Sequence, residues 1–318
     1  MIEKERMMPE INLQLTALLR RMPKMLEGRE KVWSELRKRN AGFRGEQKLD
    51  YDLSFLNEKE YRIYHGLRLS SGNQFFQIDT LLLTKRFAIL LEVKNWNGTI
   101  MFEPEFHQLI RIHNDKEEAF QDPISQAEHQ SRQLKKWIQS NGFPQIPIEY
   151  AVVLSSPSTI IKSPNKQIST KVIHAHRLLN KISLIDETHK LVCIQDKEIK
   201  RLNRTLLKNH VPHEVDILNF FKINLDTLLT GVHCPHCATL PVIFHWGKWH
   251  CPACKGKSAT AHYQAVEDYF LLIKPAISNE EFRNFTHITS VHTAYKLLSA
   301  MNLEVGGEKK NRTYKKKK

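Results

Sequence analysis

The sequence predicts an α/β fold, and three stretches carry that expectation. Phe75 to Leu83 and Phe87 to Val93 are two apolar segments meeting at the polar turn Thr84-Lys85-Arg86, the pattern of a β-hairpin in a mostly buried sheet. Asp122 followed by Pro123 is an N-cap and first-turn pair that opens a helix running to about Ser140, after which Ile148 to Leu154 returns as another buried strand. Near the C-terminus, Cys234 with Cys237 and Cys251 with Cys254 flank a short apolar hairpin.

Length and charge bound what such a protein does. The 318 residues suffice for two or more domains, and a formal charge of +14 with pI near 9.5 points to a polyanionic partner. No apolar run of about 18 residues occurs, and the N-terminus lacks the basic-then-apolar order of a secretory signal. A cytoplasmic protein without a membrane partner is expected.

In chain order, residues 1–40 form a helical N-terminal region. Leu13, Leu15, Leu18 and Leu19 make one apolar stripe after Pro9, and Leu26, Val32, Trp33 and Leu36 a second after Pro23. Arg20, Arg21, Arg37, Lys38 and Arg39 are expected outside, as a solvated face or a nucleic-acid contact. Gly42 and Gly45 should break the helical pattern before Glu46, which by itself reads as a carboxylate near a helix start. Tyr61 to Leu69 alternates as the first core strand and leads into the hairpin.

Three charges interrupt that hairpin. Glu92 and Lys94 lie two apart on one strand and share a face, and pairing can bring Asp79 beside them. Two carboxylates suit Mg²⁺ or Mn²⁺, and an adjacent ammonium can orient or help deprotonate a water. Charges on apolar strands are costly unless something needs them. Beyond, Asn97-Gly98 marks a turn, and Thr99 to Phe102 with Leu109 to Ile112 look like an added strand pair.

The order Gly45-Glu46, Ile78-Asp79, Glu92-Val93-Lys94 followed by Asn95 and Gly98, then Asp122-Pro123 and Gln126 on a helix, closely resembles the nuclease-related domain family, NERD, which is grouped with the PD-(D/E)xK nucleases. The resemblance covers roughly Ala41 to Pro157 and implies a restriction-endonuclease-like three-layer core with a mixed central sheet. It implies a Mg²⁺-dependent deoxyribonuclease in which Asp79 and Glu92 hold the metal, the Val93 carbonyl completes the ligand set and Lys94 positions or activates water. Glu46, on the first core helix, would face the metal directly or through water, and Gln126 would be an active-site residue. Without the resemblance, Gln126 belongs to an exposed polar helix face shared with His129, Gln130 and Gln133. The family usually carries a tryptophan in the second strand after the turn, where this chain has Phe106 or His107.

After this 41–157 domain, residues 158–230 form a connecting region with a strand signal at Lys171 to His174 and helical patterns at Leu178 to Leu184 and Ile199 to Leu207. It is expected to complete the nuclease sheet and then to act as a linker. Cys193, in the apolar run LVCI, reads as a small core residue. Residues 231–258 have the layout of a zinc ribbon, with Cys234, Cys237, Cys251 and Cys254 as a closed structural Zn²⁺ site; a redox pair is the alternative for either CxxC alone. Residues 259–305 read as a small helical unit, compatible with a helix-turn-helix or a packing bundle. Residues 306–318 are a basic tail with seven Lys or Arg against one Glu, read as a disordered end or a phosphate contact.

Two functions compete. One is metal-dependent hydrolysis of DNA, delivered by the ribbon and the basic C-terminal region. The other is a non-catalytic nucleic-acid-binding or complex-assembly protein on a nuclease fold. DNA is the first partner expected and RNA the second.

Overall fold

Residues 1–103, 105–163, 168–308 and 311–317 are described by a computed structural model. The chain falls into two units, one of Met1–Met8 with Lys38–His213 and one of Pro9–Arg37 with Glu214–Lys318. Strand β1 (Ile2–Lys4) is followed by helices α1 (Glu10–Arg21) and α2 (Arg29–Leu53), and α2 contributes to the first unit from Lys38 onward. No helix among the described residues is long and apolar enough to cross a membrane.

In the first unit, β2 (Arg62–Ser71), β3 (Gln74–Leu83) and β4 (Ala88–Lys94) pair antiparallel, and the predicted hairpin is β3 with β4. Strands β5 (Thr99–Glu103), β6 (Gln108–His113) and β7 (Lys116–Gln121) leave this layer, and helix α3 (Pro123–Ser140) leads back to β8 (Ile148–Leu154), parallel to β4. Strand β9 (Ile160–Lys162) joins the outer group in the order β7-β6-β5-β9. After a one-turn helix α4 (Ile168–Lys171), β10 (Val172–His174) completes the six-stranded mixed sheet β1-β2-β3-β4-β8-β10.

Helices cover both faces of this sheet. Leu49 and Leu53 of α2 join Leu178, Ile182 and Ile185 of α5 (Leu178–Thr188) against Ile89, Leu91 and Val153. On the other face Ala127, Leu134 and Ile138 of α3 and Ile199, Leu202 and Leu206 of α6 (Asp196–Lys208) pack on Leu90 and Val152. Each fully buried leucine contributes on the order of 1.5–3 kcal/mol, so these two interfaces fix which side of β4 faces α3. The stretch expected to complete the sheet and then link does contribute β10 to it, and the two helices read from its sequence, α5 and α6, belong to the core of the first unit.

Several local expectations give way. Helix α2 passes unbroken through Gly42 and Gly45, because Gly45 is the residue over which the helix approaches β4: a Cβ there would lie 2.4 Å from Asn95 Cβ and 2.7 Å from Ser155 Oγ. Glu46 therefore stands well inside a helix and is no capping residue. The N-terminal residues, expected to be helical, form β1 parallel to β2. Leu13 and Trp33 point outward from their stripes. Phe106 is exposed in the turn between β5 and β6, outside either strand, while Trp96 packs on Phe120 with ring centroids 5.4 Å apart. Strands β7 and β9 gave no sequence signal, since the polar run KEEAFQ has no buried face to declare.

In the second unit α1 packs on α8 (Ala261–Leu272), and between them Arg21 is 1% exposed with Nε donating to Asp268 Oδ2 at 2.7 Å. Arg20 pairs with the same carboxylate. Both were expected on a solvated face; a buried aspartate on α8, invisible from the first helix alone, draws them in. After α7 (Ile217–Phe221), strands β11 (Ile243–His245), β12 (Lys248–His250) and β13 (Lys257–Ser258) form the ribbon sheet, and Trp246-Gly247, both at positive φ, make its tight turn. Then come β14 (Ala276–Ser278), α9 (Asn279–Thr286), α10 (Val291–Ala300), β15 (Leu303–Gly306) and β16 (Thr313–Lys316). One core joins Cys234, Trp249 and Cys251 of the ribbon to Val266, Phe282, Leu298 and Tyr314. The basic tail is thus partly ordered: β16 pairs with β14 and β15 because Tyr314 is buried in that core. Lys309, Lys310 and Lys318 of the tail lie outside the described residues.

Candidate active site and metal centre

Strand register assembles the first part of the site. Thr80 pairs with Leu91, so Asp79 comes level with Glu92 at the next step, where the hairpin ladder opens. There the Val93 backbone N–H donates to Asp79 Oδ2 at 2.9 Å. The strand also turns its faces over at this point. Gly66, opposite Asp79 and at φ 57°, lets Tyr64 and Leu67 enter the same core cluster, as Leu81 and Ile78 do on β3. A kinked strand end frees Asp79 from the flat pleat that plain alternation would assign.

Helix α3 supplies the next layer. Asp122 caps it, accepting from Ile124 N at 2.9 Å and Ser125 N at 3.2 Å, and Pro123 opens the first turn. One turn on, Gln126 and Gln130 face β4 at i,i+4 spacing. Lys94 Nζ donates to Glu92 Oε1 at 2.7 Å and to Gln126 Oε1 at 3.1 Å, while Gln130 Nε2 donates to Glu92 Oε2 at 3.1 Å. Glu92 is 2% exposed, so this hydrogen bonding and the Lys94 charge are what make its burial tolerable.

Helix α2 brings Glu46 from the other side. Asn95 Nδ2 donates to Ala41 O at 2.7 Å and Ser155 N to Lys94 O at 3.0 Å, and with the bare backbone of Gly45 they clamp the helix to the end of β4. Glu46 Oε2 accepts from Arg6 Nη1 at 2.6 Å. Arg6, only 5% exposed in its side chain, also bonds both oxygens of Asp50, Thr80 Oγ1 at 3.0 Å and His65 Nδ1 at 2.7 Å. A guanidinium only donates, so His65 Nδ1 accepts and the ring is neutral. Burial first, and then the Arg6 charge, lower its pKa to about 4.

These carboxylates crowd one another. Burial, then Glu92 and Glu46, push the Asp79 carboxyl well above the usual range, against the pull of the Val93 amide and Lys94. Glu46 is raised mainly by burial, with Glu92 and Asp50 adding to it and Arg6 opposing. On the amide that bonds Glu92, Gln130 Oε1 is buried without a hydrogen-bond partner among the described residues. Hard oxygen donors, like-charge crowding and an unsatisfied amide oxygen fit a divalent cation.

The structure brings Asp79, Glu92, Lys94 and Gln126 together, with Glu46 close enough to shift Asp79. Residues 41–155 match the family model of the nuclease-related domain, NERD. Comparison with curated proteins and with solved structures gives no match. The NERD match spans β2 to β8 and every residue just named, whereas Arg6, β10, α5 and α6 lie outside it. Sequence reasoning missed Arg6 and Gln130. Gln130 was visible as one amide of the α3 face, four residues beyond Gln126; Arg6 had no signal, because only β1 pairing carries it there.

A second centre lies in the ribbon. Cys234, Cys237, Cys251 and Cys254 have sulfur atoms all within 4.8 Å of one another, and among the described residues they are the one His, Cys, Asp or Glu group of three or more so placed. Cys234 and Cys254 sulfurs are 3.6 Å apart and Cys237 and Cys251 3.5 Å, close to the edge of about 3.8 Å that a tetrahedron with 2.3 Å zinc–sulfur bonds requires. The two knuckles repeat one geometry. Ala238 and Lys255, each just after the second cysteine, have φ of 58° and 61°, and their amides return to the Cys234 and Cys251 carbonyls. Backbone N–H groups of His236 and Cys254 point at the Cys234 and Cys251 sulfurs. Four thiolates so held can bind a structural metal such as Zn²⁺, with no position left open for catalysis.

Proposed function

We propose that the NERD-like unit has a restriction-endonuclease-like core and is a metal-dependent nuclease hydrolysing phosphodiester bonds of DNA. The observation that carries this reading is the convergence of Asp79, Glu92 and Lys94 at the open end of the β3-β4 hairpin, with the Lys94 ammonium held between Glu92 and Gln126. Asp79 and Glu92, with the Val93 carbonyl, would hold Mg²⁺ or Mn²⁺, which supplies Lewis-acid polarisation of the phosphate and neutralises its developing charge. Lys94 places a proton donor beside that position, and Gln126 fixes its direction. Gln130 holds the second Glu92 oxygen, and Glu46, steadied by Arg6, adds negative potential that favours the cation. The basic charge of the chain offsets repulsion between this acidic site and a polyanion.

One observation favours the non-catalytic alternative: both Glu92 oxygens are already bonded, to Lys94 and Gln130. Cleavage of labelled single-stranded, duplex and branched DNA, with Mg²⁺, Mn²⁺ or no added metal, separates the two. Metal-dependent products lost in Asp79→Ala and Lys94→Ala support the nuclease. DNA binding without products in the wild type supports the assembly role, and undiminished cutting by either variant removes the residue assignment.

A further inference from the structure

The C-terminal part of the second unit has a chemistry of its own. From α8 to β16 the elements run α-β-α-α-β-β, and the three strands are antiparallel in the order β14-β16-β15. Helices α9 and α10 are joined by the short turn His287 to Ser290, which starts with His287 at φ 64°. Ser278 and Glu281 form a capping box at the start of α9, and Ser290 caps α10 by accepting from Thr293 N. A helix, a tight turn and a second helix, backed by a third helix and followed by a β-hairpin, is the arrangement of a winged helix.

The second helix presents a distinct outer stripe. Ala294 and Leu298 are fully buried in the shared core, while His292, Tyr295, Lys296 and Ser299 are exposed. At i, i+3, i+4 and i+7 these four lie on one face, and all of them can donate hydrogen bonds. Strand β16 carries Lys315 and Lys316. Arg312, at the start of β16, lies over the Tyr295 ring at 5.7 Å and so places a guanidinium against the same stripe. From Ala261 to Lys318 the sequence has ten Lys or Arg and six Asp or Glu; Glu281 pairs with Lys274, Glu304 with Lys315 and Glu267 with Lys316, while Asp268 is held by Arg20 and Arg21 of α1, so the excess of positive charge remains. Lys296 has no carboxylate partner among the described residues.

We infer that this α8 to β16 segment is a winged-helix module that binds duplex DNA, with the His292, Tyr295, Lys296 and Ser299 face of α10 in the major groove and Arg312 with the lysine-bearing strand β16 along the backbone. The major groove admits one helix, and phosphate contacts from lysine and arginine position it. The proposal does not depend on cleavage chemistry, since none of its residues belongs to the candidate active site.

The test is fluorescence anisotropy of the full chain on a labelled duplex of about 20 base pairs, without added divalent metal, across a salt series. The double variant His292→Glu, Lys296→Glu should weaken duplex binding about tenfold or more and flatten the dependence of log affinity on log salt. Ser299→Lys, which adds a charge to the same exposed stripe, should tighten it several-fold, a gain that a misfolded protein would not give. Duplex affinity unchanged in both variants overturns the proposal, and so does equal or tighter binding of single-stranded DNA or RNA through the same residues. Absence of cleavage with these binding changes intact would refute only the nuclease reading.

Discussion

Alanine at Gly42 and at Gly45, three residues apart in α2, should have effects of opposite sign. Replacing a helical glycine by alanine gains about 0.5–1 kcal/mol when nothing else changes. At Gly42 no atom lies within 4 Å of the added Cβ, so that gain stands. At Gly45 the Cβ would sit 2.4 Å from Asn95 Cβ and 2.7 Å from Ser155 Oγ, where carbon contacts are normally about 3.5–4.0 Å. Neither neighbour is free to leave, because Asn95 is bonded to Ala41 of the same helix and Ser155 to Lys94. Relief requires lifting α2 off the end of β4, an overpacking cost of about 1–3 kcal/mol that exceeds the helix gain. Urea unfolding followed by circular dichroism should give a midpoint above wild type for Gly42→Ala and below it for Gly45→Ala. A Gly45→Ala midpoint at or above wild type would refute the close approach and, with it, the placement of Glu46.

Other perturbations probe the rest of the molecule. Arg6→Met strands Glu46 and His65 beside an unneutralised Asp50, and since Asp50 is partly exposed the loss of stability should fall at the lower end of the about 3–5 kcal/mol typical of a broken buried pair, read from the same urea transitions. Chelation, or Cys251→Ser, should release one metal per chain by colorimetric assay and lower the melting temperature of the α8 to β16 core as well as the ribbon, because Cys251 and Phe282 share that core; melting unchanged after metal loss would count against a structural role. His262, buried with Nδ1 accepting from Trp249 Nε1, has its pKa lowered from 6.5 to about 4 by burial. The unfolded chain then binds more protons between these values, so stability is full above pH 6.5 and is lost as pH falls towards 4. His262→Gln should flatten that slope, and an unchanged slope would show that other groups set it.

Much of the candidate site was legible because its residues are local to one hairpin and one helix start. Glu92 and Lys94 follow from strand alternation, Asp79 from the facing strand and the four cysteines from their spacing, whereas Gln126 was singled out only by the NERD resemblance, since α3 by itself offers several amides on one polar face. The errors came from residues whose partners are far away in sequence. Gly45 looked like a helix breaker because a single sequence shows its low propensity and not the Asn95 side chain that excludes a Cβ. Arg21 looked exposed because its partner Asp268 is on another helix of the unit. Lys315 and Lys316 looked like a disordered tail because the burial of Tyr314 between them and Thr313 depends on a core built by α8, α9 and α10.

By itself, then, the sequence determined the hairpin and its charges, the capped α3, the NERD resemblance over roughly residues 41–157 and the two-knuckle cysteine site, all of them patterns complete within a few turns or strands. Only the tertiary structure decided that Arg6 stands behind Glu46, that Gln130 holds the second oxygen of Glu92, and that the basic end of the chain closes a β-sheet beside α10. These are contacts between segments that no periodicity links, fixed by which apolar faces the chain can bury together and which buried charges must then be paired.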